Sequence, residues 1–291
     1  MEFRVLQYFL AVAREQTISG AAEALHLSQP TLSRQLKDLE EELGKQLFVR
    51  GNRQITLTEE GVLLKRRAEE ITELMQKTES EIAQSEDAIA GDITIGAAEA
   101  KPVRFLMQAA QALQCQYPLI RFHVISGDRA AVMEQLGKGL IDFALLHGET
   151  DAARFEGLPV PYCHTWGILM RRDCPLAEKE AVTKEDLYGQ PLILSRQIYQ
   201  NPDFQNVLKK DDRQIHVVAT YNLLYNGSLM VEAGMGYALC LDQLINTTGD
   251  SSLCFRPLLP EAKVEMSLIW KKYQVFSKAS QAFLQKVREM V

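Results

Sequence analysis

The sequence predicts an α/β protein in three parts: a small helical module that ends in a β-hairpin, a long linker helix, and a larger two-lobed α/β domain. Three observations predict this architecture. Apolar residues recur at helical spacing in the first 43 residues, a heptad pattern follows in a stretch without Gly or Pro, and strand-like segments then alternate with helix-like segments. We place the three parts at residues 1–58, 59–89 and 90–291.

The composition is that of an ordinary globular protein. The chain has 291 residues, of which 46% are hydrophobic and 24% are charged. A formal net charge of −6 argues against a protein that covers nucleic acid with a surface that is positively charged throughout. It is compatible with a local basic surface. Five cysteines without a C-x-x-C pair are typical of buried free thiols in a reducing compartment. Because no segment resembles a signal peptide or a membrane span, we expect a cytoplasmic protein without a membrane partner.

Three helices are predicted at the start of the chain. Helical spacing defines the first two through Phe3, Leu6, Leu10 and Ala13, and then Ile18, Ala21, Ala22 and Leu25. The third helix follows Ser28, a suitable N-cap, and tolerates Pro30 in its first turn. Its predicted buried face consists of Leu32, Leu36, Leu39 and Leu43. Arg34 lies on the opposite face.

The second and third helices are short, lie three residues apart and carry alanines that permit close packing, which indicates a helix-turn-helix. The second helix of that motif enters the major groove by its N-terminal end, where short polar side chains and an Arg can contact base edges. Candidate DNA-contacting residues are Gln29, Thr31, Ser33 and Arg34, flanked by Lys37. The alternative is that Ser28 is only a cap and Arg34 only a solvated side chain.

The segment LFVRGNRQITLTEEG, residues 47–61, alternates around a Gly-Asn turn and therefore predicts a β-hairpin. A hairpin beside a DNA-recognition helix is a wing. Arg50 and Arg53 at its tip are candidates for contacts with a minor groove or with phosphates.

A long helix without Gly or Pro is predicted from Val62 to Ala90. Mostly apolar residues follow the heptad spacing of a coiled-coil seam: Leu64, Ala68, Ile71, Met75, Thr78, Ile82, Ser85 and Ile89. No obvious partner for this seam exists within the chain, so we predict a homodimer through the linker helix. The alternative is that the seam docks on the chain's own C-terminal domain.

The C-terminal part alternates strands with helices, which predicts parallel sheets in two lobes. We assign residues 90–162 and 266–291 to lobe I and residues 163–265 to lobe II, with the last helix, 277–290, packed on lobe I. Ligands bind outside the carboxyl ends of parallel strands. This rule selects, as candidate effector-binding residues, Ala98, Glu99, Ala100, Gly127, Asp128, His147, Ser195 and Arg196. Two alternatives stay open: His147 could be an ordinary hydrogen-bonded loop residue, and Arg196 could pair with a surface carboxylate.

Residues 21–61 carry a dense set of motifs: paired alanines, Ser-Gln-Pro, Ser-Arg, Leu-Glu-x-x-Leu-Gly, Leu-Phe-x-Arg and Leu-Thr-x-x-Gly. This segment resembles the winged helix-turn-helix of the LysR-type transcriptional regulators. The resemblance implies DNA contacts from Gln29, Pro30, Ser33, Arg34 and Arg53. It also implies dimers that pair into tetramers on bent DNA, and a periplasmic-binding-protein-like α/β effector domain.

The chain departs from the family at one place that concerns the ligand. Many members have Ser or Thr ahead of the first helix of the effector domain, whereas this chain reads Ala-Ala-Glu-Ala at 97–100. Glu99 there is expected to satisfy the positive end of the helix that follows it. This favours a cationic, zwitterionic or neutral effector over a plain carboxylate.

We predict a transcriptional regulator that binds double-stranded DNA and responds to a small-molecule effector held between the lobes. The alternatives are a small-molecule-binding protein or an enzyme on a periplasmic-binding-protein-like fold. No phosphate loop, nucleophile elbow or metal motif is present in the sequence, and its five histidines are scattered. We therefore predict no catalytic residue, metal or cofactor. RNA polymerase is a further candidate partner.

Overall fold

The computed structural model describes residues 1–51, 54–82, 89–148, 150–201 and 215–291. The chain forms two compact units, Met1–Gln84 and Ser85–Val291.

The first unit contains the three predicted helices, the hairpin and the long helix. Their bounds are α1 (Phe3–Glu15), α2 (Ile18–Ala24), α3 (Gln29–Leu43), β1 (Phe48–Arg50), β2 (Ile55–Leu57) and α4 (Glu59–Ile82). Side-chain oxygens cap α2 and α3, because Thr17 accepts a hydrogen bond from the Gly20 amide and Ser28 accepts one from the Thr31 amide. α3 ends at Gly44, which adopts the left-handed conformation.

The core of this unit differs in detail from the predicted apolar faces. In α1 the buried residues are Val5, Leu6, Phe9, Ala11 and Val12, so the buried face is rotated relative to the predicted one and leaves Phe3, Leu10 and Ala13 only partly buried. Phe9 faces the hairpin, where its ring centroid lies 5.1 Å from that of Phe48.

The leucine face of α3 is also shorter than predicted. Leu32, Leu36 and Leu39 are buried, as expected. Leu43 is 40% exposed, so its prediction as a core residue was wrong. It occupies the last turn of the helix, just before the Gly44 cap, where the three-helix core no longer covers it.

The hairpin pairs Phe48 with Leu57 and Arg50 with Ile55 in antiparallel register, which confirms the predicted strands. Two side chains join it to the helices on either side. The Glu40 carboxylate of α3 accepts hydrogen bonds from the amides of Leu47 and Phe48, at 2.7 and 3.2 Å. Thr58 accepts from the Gly61 amide at 2.9 Å and donates to the Gln46 carbonyl at 2.8 Å, so it caps α4 and fixes the base of the hairpin.

The long helix α4 is observed from Glu59 to Ile82, and residues 83–88 of the predicted helix lie outside the described residues. Leu64 and Ala68 of the heptad seam pack into the core of the first unit. The prediction that the whole seam has no partner within the chain was therefore wrong for this first turn and a half. From Ile71 onwards the apolar seam residues of α4 are exposed.

The second unit contains one extended sheet system flanked by helices. The strands are β3 (Gly91–Ala97), β4 (Ile120–Ser126), β5 (Phe143–His147), β6 (Phe155–Arg171), β7 (Val182–Thr183), β8 (Pro191–Ser195), β9 (His216–Tyr221), β10 (Tyr237–Leu241), β11 (Leu253–Leu259) and β12 (Lys263–Lys271). The helices are α5 (Val103–Gln116), α6 (Arg129–Lys138), α7 (Arg196–Gln200), α8 (Leu224–Glu232) and α9 (Lys278–Met290), with 3-10 helices at Pro175–Glu178 and Glu185–Leu187.

Both lobes contain a parallel part and an antiparallel part. The sheet order is β4-β3-β5-β12-β6-β10-β8-β9, with β11 on the other side of β6 and β7 beyond β11. The pairs within β4-β3-β5 and β9-β8-β10 are parallel, as predicted. β12 and β6 run antiparallel to their neighbours, so the prediction of purely parallel sheets was wrong.

The two lobes share β6. Its first part, Phe155–Thr165, pairs with β12 of lobe I, and its second part, Trp166–Arg171, pairs with β10 and β11 of lobe II. The sequence prediction began a second strand unit at Cys163, which the structure places inside this single strand. The chain returns to lobe I between β11 and β12, so it passes between the lobes twice.

The last helix packs on lobe I, as predicted. Ala279, Phe283, Leu284 and Val287 of α9 join the core formed by β3, β4, β5 and α5. The predicted helix near 203–209 lies outside the described residues. Among the residues that the structure describes, no helix combines the length and the apolar character needed to cross a membrane.

The glycine of the Leu-Thr-x-x-Gly motif gives a test of this packing. A Cβ atom on Gly61 would lie 2.1 Å from the Leu47 carbonyl oxygen, which is backbone and cannot rotate away. We expect Gly61→Ala to lower the free energy of unfolding by about 1–3 kcal/mol. An unhindered Gly-to-Ala change within a helix raises it by roughly 0.5–1 kcal/mol instead. Urea unfolding followed by circular dichroism measures whether the free energy of unfolding falls or rises.

The matched control is Gly137→Ala in α6, where the added methyl group meets only Arg154 Nη2 at 3.6 Å. This variant should be neutral or stabilising. Equal stabilisation by the two substitutions would contradict the close approach of α4 to the hairpin.

Candidate DNA-binding surface and ligand cavity

The first turn of α3 presents polar side chains on an exposed surface. Gln29, Pro30 and Thr31 are exposed and Ser33 is half-buried. The Ser28 hydroxyl lies 3.3 Å from the Thr31 amide that it caps and 2.7 Å from the Thr31 hydroxyl. The turn is therefore held by its own side chains, while the exposed Gln29 side chain makes no hydrogen bond to the described residues.

Arg34 and Lys37 follow on the face opposite the buried leucines. The Arg34 side chain is 83% exposed and its Nε lies 3.9 Å from Asp38, one turn along the helix. Lys37 Nζ lies 3.2 Å from Glu41 in the same arrangement. Exposed i,i+4 pairs of this kind contribute little to stability, so both cations can exchange these partners for phosphate or base contacts.

Most acidic groups near this surface have partners inside the unit. Glu40 accepts from the hairpin amides, Glu42 pairs with the N-terminal ammonium group, and Lys45 Nζ lies 3.3 Å from Glu60. The hydrogen bond to the backbone amide of Glu60 itself and the neighbouring Lys45 lower the pKa of the Glu60 carboxyl group. These carboxylates are consequently held beside the base of the hairpin or beside α1, away from the first turn of α3.

The structure describes both strands of the wing but not the side chains of its two arginines. Arg50 is the last residue of β1, and its side chain lies outside what the structure describes. Arg53 also lies outside the described residues. Their predicted DNA contacts stay predictions.

A cavity of about 650 Å³ opens in the second unit at the carboxyl ends of the parallel strands of both lobes. The structure brings together all eight residues that the strand-end rule selected: Ala98, Glu99, Ala100, Gly127, Asp128, His147, Ser195 and Arg196. The volume lies within the usual range for sites that enclose small molecules.

Two of these residues also cap helices. Asp128 accepts a hydrogen bond from the Ala131 amide at 2.9 Å and so caps α6. Ser195 accepts one from the Ile198 amide at 3.2 Å and caps α7. Each side chain therefore has a structural partner as well as a place on the cavity wall.

His147 is held as a neutral imidazole beside a guanidinium group. Arg129 Nη1 donates a hydrogen bond to the His147 carbonyl oxygen. Burial, together with the charges of Arg129 and His164, lowers the pKa of His147, and burial also lowers the pKa of Arg129. The His147 ring meets the Trp166 ring edge-on, with centroids 6.5 Å apart. A neutral ring can both donate and accept a hydrogen bond toward the cavity.

Glu99 does not serve the helix that follows it, so that part of the sequence prediction was wrong. Its Oε2 accepts a hydrogen bond at 2.6 Å from the amide of Leu224, the first residue of α8. α8 belongs to lobe II, whereas Glu99 follows β3 of lobe I. The carboxylate does sit at a helix N-terminus, but at one on the opposite side of the cavity.

Comparison with protein families assigns both units. Residues 3–62 match the model described as bacterial regulatory helix-turn-helix protein, lysR family, and residues 86–291 match the model of the LysR substrate binding domain. The chain belongs to the LysR family of transcriptional regulators.

Named relatives agree with this assignment. The regulator is 31% identical over 216 residues to the HTH-type transcriptional regulator BsdA of Bacillus subtilis (strain 168), covering 73% of each chain. It is 30% identical over 203 residues to the HTH-type transcriptional regulator IlvY of Escherichia coli (strain K12), covering 68% of this chain and 67% of the relative.

Solved structures share the fold. Full-length CbnR in complex with its target DNA matches with a TM-score of 0.75 at 20% identity over 100% of both chains. CbnR alone, a LysR family transcriptional regulator, matches with a TM-score of 0.74 at 20% identity over 99% of both chains.

Several cavity residues of this LysR-family regulator escaped the sequence prediction. Tyr221, Asn222 and Leu241 lie at the carboxyl ends of β9 and β10, where the rule applied to the other strands would have found them. The Tyr221 hydroxyl donates to the Leu239 carbonyl at 2.8 Å, and its burial raises the pKa of the phenol. Trp166 lines the cavity from β6, and no local signal marks the point at which that strand changes lobe.

Arg196 differs from the other charged groups of the cavity. It is exposed, and within the described part of the chain no carboxylate pairs with its guanidinium group. Met133, Met266, Leu241 and Leu244 supply an apolar wall. The cavity can therefore enclose a small molecule with an apolar body and charged or polar ends.

The lowered pKa of His147 predicts how this regulator responds to acid. Its pKa in the folded protein lies below the ordinary value of 6.5, so the imidazole adds no pH dependence above that value. As the pH falls below 6.5, the unfolded chain binds the proton first and the folded protein loses stability until the pH passes the folded pKa. Urea unfolding at pH 7.5 and 5.5 should show a larger loss in wild type than in His147→Gln. Equal losses in the two proteins would contradict burial of a neutral imidazole.

Proposed function

We propose that this regulator binds a specific operator through the N-terminal turn of α3, dimerises through α4, and changes its DNA affinity when a small effector enters the cavity of the second unit. The observation that carries the proposal is the division of α3 into two faces. Three leucines anchor the helix in the core, while Gln29, Ser33 and Arg34 remain available on the outside.

The roles of the α3 side chains follow from their chemistry. Arg34 can bind a guanine edge with two hydrogen bonds, and Gln29 can do the same for adenine. Ser33 is short enough to reach either a base edge or a phosphate, and Pro30 and Thr31 contribute contact surface. Lys37 lies one turn further from the N-terminus and is suited to phosphate contacts, as are Arg50 and Arg53 of the wing.

The dimer proposal rests on the exposed seam of α4. Ile71, Met75 and Ile82 follow the heptad spacing and are exposed by 43%, 41% and 79%. Apolar residues at this spacing are stably covered by a second, identical helix. A pair of α4 helices would present two recognition helices to two half-sites, and dimers would pair into tetramers on longer operators.

The effector proposal rests on the cavity and on its place between the lobes. All eight candidate residues line it, and lobe I and lobe II each supply part of the wall. A ligand shifts the equilibrium between two lobe arrangements only if it binds one of them more tightly. The coupling free energy between an effector and DNA is typically about 1–3 kcal/mol. We place the regulator in the cytoplasm, where it meets DNA and RNA polymerase, and propose no catalytic residue, metal or cofactor for it.

Arg34→Ala tests the DNA-binding role. We expect it to cost about 1–3 kcal/mol per half-site because a bidentate base contact is lost. Gel shifts at fixed salt, with an operator mapped in the DNA upstream of its own gene, measure this loss. The circular dichroism spectrum should not change, because Arg34 lies opposite the buried leucines.

The control is Arg14→Ala, which removes an exposed arginine from α1 in the same unit. It should leave operator affinity close to wild type. Unchanged operator binding by Arg34→Ala would contradict the proposed recognition surface.

Ile71→Asp combined with Ile82→Asp tests the seam. Burying these charges between two helices costs several kcal/mol, so dimers held by α4 should dissociate. Sedimentation velocity of residues 1–90 at micromolar concentration measures the dimer fraction. Gln76→Asp with Ser80→Asp adds the same charge off the seam and should leave the dimer intact. Equal dimer fractions in both double variants would mean that the seam packs elsewhere.

A further inference from the structure

The loop between β3 and α5, residues 98–102, reaches from lobe I to lobe II at two points. Glu99 Oε2 accepts from the Leu224 amide at 2.6 Å, and Lys101 Nζ donates to Gln243 Oε1. Gln243 Nε2 in turn donates to Asp242 at 3.0 Å. Asp242 accepts from the Thr165 amide at 3.2 Å, so the second contact leads to the shared strand β6.

The Glu99 contact satisfies a helix end that its own sequence leaves open. The first amides of a helix have no partner within it, and Leu223 at the N-cap of α8 has an apolar side chain that cannot accept a hydrogen bond. The nine-residue α8 packs against β6, β8, β9 and β10, so its orientation is fixed within lobe II. A carboxylate at this position gains both a charge-assisted hydrogen bond and the favourable helix dipole.

The loop also lines two cavities. One is the cavity of about 650 Å³ described above, and the other, of about 380 Å³, is lined in part by Ala98, Glu99, Lys101 and Gln243. A ligand that enters the larger cavity therefore meets Glu99 directly. Any movement of this carboxylate changes the attachment of lobe I to α8.

We propose that Glu99 is an interlobe latch that fixes the charge preference of the ligand site. By occupying the N-terminus of α8, it takes the position that a ligand carboxylate would otherwise use. An anionic group can bind there only after it displaces Glu99 and breaks this interlobe contact. A ligand with a cationic group binds with the latch in place, because Glu99 Oε1 has no hydrogen-bond partner among the described residues.

The other charges of the cavity support this preference. Asp128 caps α6 by accepting from the Ala131 amide, so the chain's own carboxylates occupy the N-termini of both α6 and α8. Arg196 is the group suited to an anionic end of the ligand. The arrangement fits a zwitterion that lies across the cleft, with its cationic end at Glu99. This inference rests on the proposed effector site and names its ligand class.

Hydrogen exchange measured by mass spectrometry tests the latch at the amide that it binds. In the full-length protein, Glu99→Ala should speed exchange of the α8 N-terminal peptide by about tenfold or more at Leu224, as expected for loss of a hydrogen bond to a charged group. Glu99→Gln, which keeps an acceptor oxygen, should give a smaller increase. Asp128→Ala should speed exchange at the start of α6 and leave Leu224 unchanged. Normal protection of Leu224 in Glu99→Ala would overturn the latch.

Acetate tests the charge preference, because it replaces the part of the side chain that Glu99→Ala removes. Sodium acetate should restore protection of Leu224 in this variant in a saturable way, whereas sodium chloride of equal ionic strength should not. Wild type should not respond to acetate. If acetate fails to restore protection in Glu99→Ala, or alters Leu224 exchange in wild type, the proposed exclusion of anions is wrong.

Gel shifts with the same variants separate this inference from the proposed function. If wild type binds its operator but Glu99→Ala exchanges normally at Leu224, only the latch fails. If exchange behaves as expected but no operator is bound, the proposed regulatory function fails and the interlobe contact stands.

Discussion

Both walls of the ligand cavity depend on one constraint: β6 is a single strand that belongs to two sheets. An extended strand rises about 3.3 Å per residue, so its 17 residues are long enough to leave the edge of one sheet and enter the middle of another. Packing is tight where β6 passes from one sheet to the other, since a Cβ on Gly167 would lie 2.4 Å from the Arg256 carbonyl oxygen of β11. Because β6 fixes both sheets, the carboxyl ends of β3, β4 and β5 meet those of β8, β9 and β10 across one cleft.

Local signals in the sequence were sufficient for most helices and strands but not for their long-range partners. Ser28 marks the start of α3, because capping depends on a few neighbouring residues. The burial of Leu64 and Ala68 could not be predicted, since the heptad spacing is the same whether a residue contacts its own core or another subunit. The length of β6 was missed because its two parts differ in burial: Gly167–Met170 are buried consecutively, whereas most of the residues before them are not, so the segment does not look like one strand.

The candidate cavity was predictable to the extent that it follows from strand order. The strand-end rule selected Gly127, His147 and Ser195 from three separate strands, and the fold brings them to one cavity. It could not assign the partner of Glu99, because Leu224 lies 125 residues away in the sequence. The strand-end rule also missed Trp166, because this residue lies within β6 and not at the carboxyl end of a strand.

The free energy of the Glu99 contact can be compared with the coupling free energy between an effector and DNA. A hydrogen bond to a charged group contributes about 1.5–3 kcal/mol, and solvent at the half-buried loop reduces this value. Coupling between an effector and DNA is commonly about 1–3 kcal/mol. An attachment much stronger than this would hold the lobes in one arrangement whatever was bound, and a much weaker one would leave them uncoupled. One carboxylate on one amide, assisted by Lys101 and Gln243, lies in the range that a small ligand can overcome or reinforce.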